Sequence, residues 1–229
     1  MPDSHKSFSL STITDIPNQL GVAVCYILVA AISIISIFNE FRHIDQNMES
    51  LARERGTVLF KLIELTRDWN AQHGGIYAKA SDRNPPNPYL DHPKRDLTTT
   101  DGTRLTMVNP AYMTRQIAEI AEKADGVKFH ITSLKLIRPE NKADDWETET
   151  LGLFEKGDVK ERLSLIEGDN GTVHRYMAPL YIKPACMQCH AKMGYKIGDI
   201  RGGISVTMPA ARALNIREQQ RQRTLLFHS

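Results

Sequence analysis

The sequence predicts an α+β fold: an antiparallel five-stranded sheet with flanking helices, preceded by a transmembrane helix that continues into a long N-terminal helix. Three features predict it. Leu20 to Phe38, LGVAVCYILVAAISIISIF, carries no charge over about the ~20 residues needed to cross a bilayer as a helix. Leu51, Val58, Leu59, Leu62, Ile63, Leu65 and Trp69 recur at helical spacing between Gln46 and His73. Beyond them, short β-prone runs alternate with helical segments, and the later ones are joined by hairpin signals.

A chain of 229 residues, 41% hydrophobic and 24% charged, holds one domain with additions. A formal charge of +2 and the lack of Lys and Arg runs interleaved with aromatics exclude a nucleic-acid binder. A secretory signal has a shorter apolar core, roughly 7–15 residues, and a small-residue cleavage site. Here the apolar segment runs into Asn39-Glu40-Phe41-Arg42, so an uncleaved anchor is expected. Lys6 before the span and Arg42, Arg53 and Arg55 after it would weakly place the C-terminal part in the cytoplasm.

The long helix should end at Gly74-Gly75, since glycine takes up the left-handed conformation that closes helices. Ala80 to Thr103 is rich in Pro, Asn and Asp and reads as a long loop. Leu105 to Val108 forms a short strand. Asn109-Pro110 then caps a helix that runs to Lys123 and closes near Gly126. A strand follows at Val127 to Ile137, then a helix at Trp146 to Lys156 with Leu151 and Phe154 inside. Arg162 to Glu167 and Val173 to Ile182 make a hairpin about Asp169-Asn170-Gly171, and Gly203 to Met208 is the last strand. No internal repeat is present.

Cys186, Cys189 and His190 fall within five consecutive residues, KPACMQCHAK. Three chemistries use such a cysteine pair. Structural zinc wants four ligands, and no second pair exists, because Cys25 lies inside the apolar span. A dithiol redox centre needs only Cys-x-x-Cys and leaves the histidine unexplained. The c-type haem attachment signature, Cys-x-x-Cys-His, accounts for all three residues: two thioether links through Cys186 and Cys189, and His190 as proximal iron ligand. One covalent haem c is therefore expected. Its attachment takes place outside the cytoplasm in bacteria, which overrides the weak charge bias.

Four stretches occur in the order found in a known family: RDWNAQHGGIY (Arg67 to Tyr77), NPAYMTRQ (Asn109 to Gln116), RPENKADDWE (Arg138 to Glu147) and YMAPLYIKPACMQCHAKMGYKIGDIRGGISV (Tyr176 to Val206). With them the chain resembles the periplasmic c-type haem sensor domains with a PAS-like fold, long known only as a domain of unknown function. The resemblance covers about Thr57 to Pro209. It implies an input module of the kind carried by bacterial histidine kinases, diguanylate cyclases and chemoreceptors, responsive to redox state or to a small gaseous ligand such as NO, CO or O2. The expected organisation is a cytoplasmic N-terminus at 1–19, an anchor at 20–38, a periplasmic sensor domain at 39–209 and a C-terminal helix returning toward the membrane at 210–229. That describes a single-pass protein of the bacterial inner membrane, expected as a homodimer. No kinase, cyclase or chemoreceptor segment is in the chain.

The second axial position of the iron decides what such a haem can do. His73 is the first candidate, one turn after Trp69 and directly before the glycines, although a helix-end histidine also serves the terminal carbonyls. Met113 and Met107 follow as thioether candidates. Some relatives use a distal cysteine, which is not expected here, since Cys25 is the only spare. Trp69, Tyr77, Tyr176 and Met193 are candidate pocket residues, and Arg115 and Arg138 candidate partners of the haem propionates. His92, His130 and His174 have no partner spacing and receive no role. No nucleophile with an adjacent base, paired carboxylates or phosphate-binding glycine loop stands out, so an enzyme is not expected. A membrane-tethered cytochrome for electron transfer is the alternative to sensing.

Overall fold

The computed structural model describes residues 15–187 and 194–228. It divides into two compact units, residues 1–48 with 215–229 and residues 49–214. Helix α1 runs from Asp15 to Gln72. Its N-terminal part is long and apolar enough to cross a membrane, with Leu20 to Phe38 turned outward on almost every side. In the same unit lies the end of the last helix, α4 (Ala211–Phe227), where Arg221 pairs with Asp45 at 2.5 Å and lies over the Phe41 ring.

The larger unit holds two antiparallel sheets where the sequence had suggested one of five strands. The first, ordered β1-β3-β2, comprises β1 (Ile76–Lys79), β2 (Asp96–Thr98) and β3 (Arg104–Val108). The second, ordered β4-β7-β6-β5, comprises β4 (Lys128–Thr132), β5 (Arg162–Gly168), β6 (Gly171–Tyr181) and β7 (Ile200–Pro209). The expected long loop from Ala80 to Thr103 thus contains a strand. Asp96 to Thr98 pairs with Arg104 to Thr106, and Asp96 accepts a hydrogen bond from the Thr106 hydroxyl at 2.7 Å. Strand β4 stops at Thr132, well short of Ile137, where the chain turns and the Thr132 hydroxyl donates to the Asn141 carbonyl.

Local chemistry sets the helix ends. Asn109 caps α2 (Pro110–Asp125) by accepting from the Tyr112 amide at 3.0 Å, and Gly126 closes it at φ 67°. Helix α3 (Asp145–Lys156) opens on a reciprocal capping box between Asp144 and Glu147 and closes at Gly157. Helix α1 ends with Gly74 and Gly75 at positive φ, the Gly75 amide donating to the Asn70 carbonyl.

Alternation along β6 and β7 gives the four-stranded sheet two apolar faces. On one, Tyr176, Ala178, Ile204, Val206 and Met208 pack with Phe60 and Ile63 of α1. On the other, Met177 packs with Leu151 and Phe154 of α3. Burial of side chains such as Phe60 and Ile63 contributes about 1.5–3 kcal/mol each. Helix and sheet meet most closely at Gly56, where a Cβ would lie 2.5 Å from Cγ of Tyr176. Tyr176 cannot swing away cheaply. Its hydroxyl donates to Glu161 at 2.7 Å, and Glu161 also receives Arg53 of α1 at 3.1 Å.

The α3 face holds a buried polar network. Glu147, fully buried, accepts hydrogen bonds from Ser205 at 2.5 Å and His130 at 2.9 Å, and forms an ion pair with Arg175 at 2.9 Å. Arg175 also reaches Asp144 and lies over the Trp146 ring. The hydrogen bond to Glu147 raises the pKa of His130 against the effect of burial. Burial would raise that of Glu147, but the bonds from His130 and Ser205 outweigh it and hold the carboxyl below its usual value.

Two predictions follow from this packing. Gly56→Ala should improve helix propensity by about 1 kcal/mol yet overpack against Tyr176 by about 1–3 kcal/mol, so thermal unfolding should show a net loss. His130 stabilises the fold fully below its ordinary pKa of about 6.5, and that contribution is lost as pH rises through the raised value. Glu147 contributes above its ordinary value of about 4.3, and that contribution is lost as pH falls through the depressed one. The melting temperature should therefore decline from about pH 6 toward pH 8, and His130→Gln should flatten that decline.

Candidate functional site

The end of α1, the segment 87–93, the start of α2, the segment 131–141 and the ends of β6 and β7 line two adjoining cavities. The smaller, about 160 Å³, is lined by Glu64, Arg67, Asp68, Met107, Lys183 and Cys186 among others. The larger, about 570 Å³, is lined by Arg67, Tyr89, Arg115, Lys135, Arg138 and Arg201 among others. Arg67, Leu90, His92, Asn109, Ala111, Leu180 and Arg201 belong to both walls. The larger volume is within the range of about 300–1,000 Å³ usual for cofactor sites.

Cys186 reaches the wall because β6 ends at Tyr181 and the chain passes through Lys183 into a tight turn at Pro184–Cys186. Lys183 holds that exit to α1, pairing with Glu64 at 3.2 Å and with Asp68. Burial alone would lower the pKa of Lys183, but the two carboxylates outweigh it and raise it. For Glu64, burial is outweighed in turn by Lys61 and Lys183, and its carboxyl is held low. Cys189 and His190, and the pocket candidate Met193, lie outside the described residues.

The wall of the larger cavity is cationic, with Arg67, Arg115, Lys135, Arg138 and Arg201 against Asp91, whereas in the smaller one Glu64 and Asp68 offset most of the charge of Arg67, Lys183 and Arg201. Arg67 donates to the Pro110 carbonyl and the Thr114 hydroxyl, both at 3.2 Å, and burial pushes its guanidinium down to about 10, so it remains charged at neutral pH. Burial, then the charge of Arg138, also lowers Arg115, which donates to Asn87 at 3.2 Å. Arg201 donates to Ser133 and to the Lys135 carbonyl, while its buried Nε has no hydrogen-bond partner among the described residues. Among the described residues Arg67, Arg115 and Arg201 form no ion pair with a carboxylate; Arg138 pairs with Glu140 at 3.3 Å. Half-buried guanidiniums that form no ion pair favour an anionic occupant, and carboxylates match their fork geometry. An apolar macrocycle bearing two carboxylates and tethered at Cys186 fits these residues.

The candidates named from sequence separate here. Arg115 and Arg138 line the larger cavity and Met107 the smaller. Tyr176 is corrected: it is core, buried between α1 and the sheet and bonded to Glu161, because its position on β6 faces helix α1. Trp69, Tyr77 and Met113 are not among the wall residues; Trp69 is exposed, the Tyr77 hydroxyl donates to the Lys94 carbonyl, and the Met113 sulfur meets Asn70. His73 is exposed and lies against Trp69, while its neighbours Ala71, Gly74 and Gly75 do line the smaller cavity. Its Nδ1 donates to the Trp69 carbonyl at 2.7 Å, which leaves the Nε2 lone pair free. His92, given no role from sequence, lines both cavities, and its Nδ1 accepts the Lys94 amide at 3.2 Å, which puts the proton of the neutral ring on Nε2. Arg67, Arg201 and His92 carried no local signal, since only the tertiary fold brings them together.

An α+β domain with two adjoining cavities, one cationic and one edged by a cysteine, defines the class. A model of the Tll0287-like family matches residues 45–209, and the chain belongs to that family. This bears out the resemblance drawn from the four stretches above. Among solved structures, the chain is similar to the crystal structure of the cyanobacterial heme-protein Tll0287, at 16% identity and a TM-score of 0.45, over 68% of this chain and 94% of that one. No curated protein matches.

Lys183→Met should test the latch at the exit of β6. A part-exposed ion pair contributes at most about 1 kcal/mol, so the melting temperature should change little. Amide exchange at Ile182, whose N–H donates to the Asp199 carbonyl, should accelerate.

Proposed function

We propose that the chain is a membrane-anchored c-type haem sensor of the Tll0287-like family, its soluble domain at 39–209 facing the periplasm. The observation that carries the reading is the position of Cys186, the first cysteine of Cys-x-x-Cys-His, in the wall of the smaller cavity, which shares Arg67 and Arg201 with the larger, arginine-rich one. Cys186 and Cys189 would hold one haem through thioether bonds, and His190 would bind its iron. When bound, that group supplies a metal centre that changes oxidation state or exchanges a small axial ligand.

The protein's own residues then have distinct tasks. Arg67, Arg115, Arg138 and Arg201 would pair with the carboxylates of the bound group and help to hold it. His73 is the proposed sixth ligand: its tautomer leaves Nε2 free, and its neighbours at the end of α1 reach the cavity wall. His92 presents the opposite tautomer and is suited to donate a hydrogen bond to a small molecule bound in the cavity. A change at the haem loop would pass to α1 through Lys183 and its partners Glu64 and Asp68, giving the two-state element that sensing requires. The span at 20–38 would place the protein in the bacterial inner membrane as a single-pass protein.

Absorption spectra of the full chain matured with a cytochrome c assembly system, in ferric, ferrous and ferrous-plus-carbon-monoxide states, test the reading. Sensing predicts that carbon monoxide displaces the sixth ligand, that His73→Ala alters the resting spectrum, and that His92→Ala leaves it unchanged but weakens ligand retention. A resting spectrum changed only by His92→Ala would move the sixth ligand to His92. A six-coordinate iron inert to carbon monoxide, with amide exchange along α1 the same in both oxidation states, would favour a tethered electron carrier instead.

A further inference from the structure

Helix α1 has a second apolar face that its own domain does not use. Leu51, Val58, Leu62, Leu65 and Trp69 are each between 53% and 64% exposed, whereas Ala52, Phe60, Ile63 and Asn70 of the same helix are buried. At 100° per residue the five exposed side chains fall within about 60° of arc, and the buried set lies on another side. The exposed set follows a heptad: Leu51, Val58 and Leu65 are seven apart, and Leu62 and Trp69 are seven apart, offset by four. This is the a/d spacing of a coiled-coil seam, with Arg55 at the remaining a position.

We propose that this stripe is the interface with a second copy of the same chain, forming a parallel two-helix contact from Leu51 to Trp69. Three arguments select a second copy. An a/d seam is self-complementary, so a copy presents the matching ridge. Two copies anchored in one bilayer approach with the same polarity and at high local concentration, an argument that rests on the anchoring proposed above. Five large side chains at roughly 100 Å² each, counted on both copies, give about 1,000 Å², the size at which specific interfaces begin. Arg55 in the seam disfavours tight packing at one layer and fixes the register, as polar residues at a positions do.

The test uses the full chain in detergent and in lipid nanodiscs. Light scattering should give a dimer for the wild type and a monomer for Leu62→Lys/Leu65→Lys with unchanged circular dichroism, a loss of about 100-fold or more in association. Arg55→Leu should tighten the dimer. In a Cys25→Ala background, cysteines added at Val58, Leu62 and Leu65 should form intermolecular disulfides beyond those of the background itself, which retains Cys186 and Cys189, and cysteines added at the exposed off-stripe positions Glu49 and Ser50 should not. A monomeric wild type at all concentrations, a folded lysine variant that remains dimeric, or equal cross-linking on and off the stripe would overturn the proposal. Light scattering does not depend on the haem, so a dimer without c-type spectra supports this interface while sinking the haem reading.

Discussion

Gly56 against Tyr176 is the contact on which the arrangement of the larger unit depends. A glycine in mid-helix costs about 1 kcal/mol relative to alanine. Here it lets the α1 backbone approach a fully buried aromatic ring. Phe60 and Ile63 continue the same face one and two turns later, and by Arg67 the helix has reached the cavity wall. The depth at which α1 meets the sheet therefore sets where Arg67, Asp68 and the closing glycines stand relative to Cys186. Packing at one end of the helix thus fixes the geometry of the site at the other.

The site combines two kinds of polar burial that serve different ends. On the α3 face, Glu147 is surrounded by His130, Arg175 and Ser205, and charge is matched within the protein. In the larger cavity Arg67, Arg115, Lys135, Arg138 and Arg201 face a single carboxylate, Asp91, and among the described residues Arg67, Arg115 and Arg201 form no ion pair. Breaking a matched network is costly, while an unmatched one is tolerated where a ligand completes it. That contrast, on opposite sides of one sheet, supports the binding role proposed for the cavity and a structural role for the α3 network.

Much of this could be read locally. The Asn109-Pro110 cap, the hairpin between β5 and β6, the glycines closing α1 and the Cys-x-x-Cys-His signature are short-range patterns with direct physical meaning. What escaped was non-local. Asp96 to Thr98 is too short and polar to announce a strand, and it exists because β3 offers an edge. The split into two sheets depends on which strands meet after folding. Tyr176 was assigned to the pocket on residue type, but its place in the alternation of β6 turns it toward α1. His92 sits in a proline-rich segment with no periodicity, and its place in both cavity walls is a product of the fold.

The central claim is that Cys186 and Cys189 carry one covalently bound haem at this cavity. Intact mass spectrometry of the full chain, matured with a cytochrome c assembly system and then extracted with acidified acetone, tests it most directly. The account predicts a mass increased by one haem that survives extraction in the wild type and is lost in Cys186→Ala/Cys189→Ala. An unmodified mass, or a haem that washes out of the wild type, would contradict it.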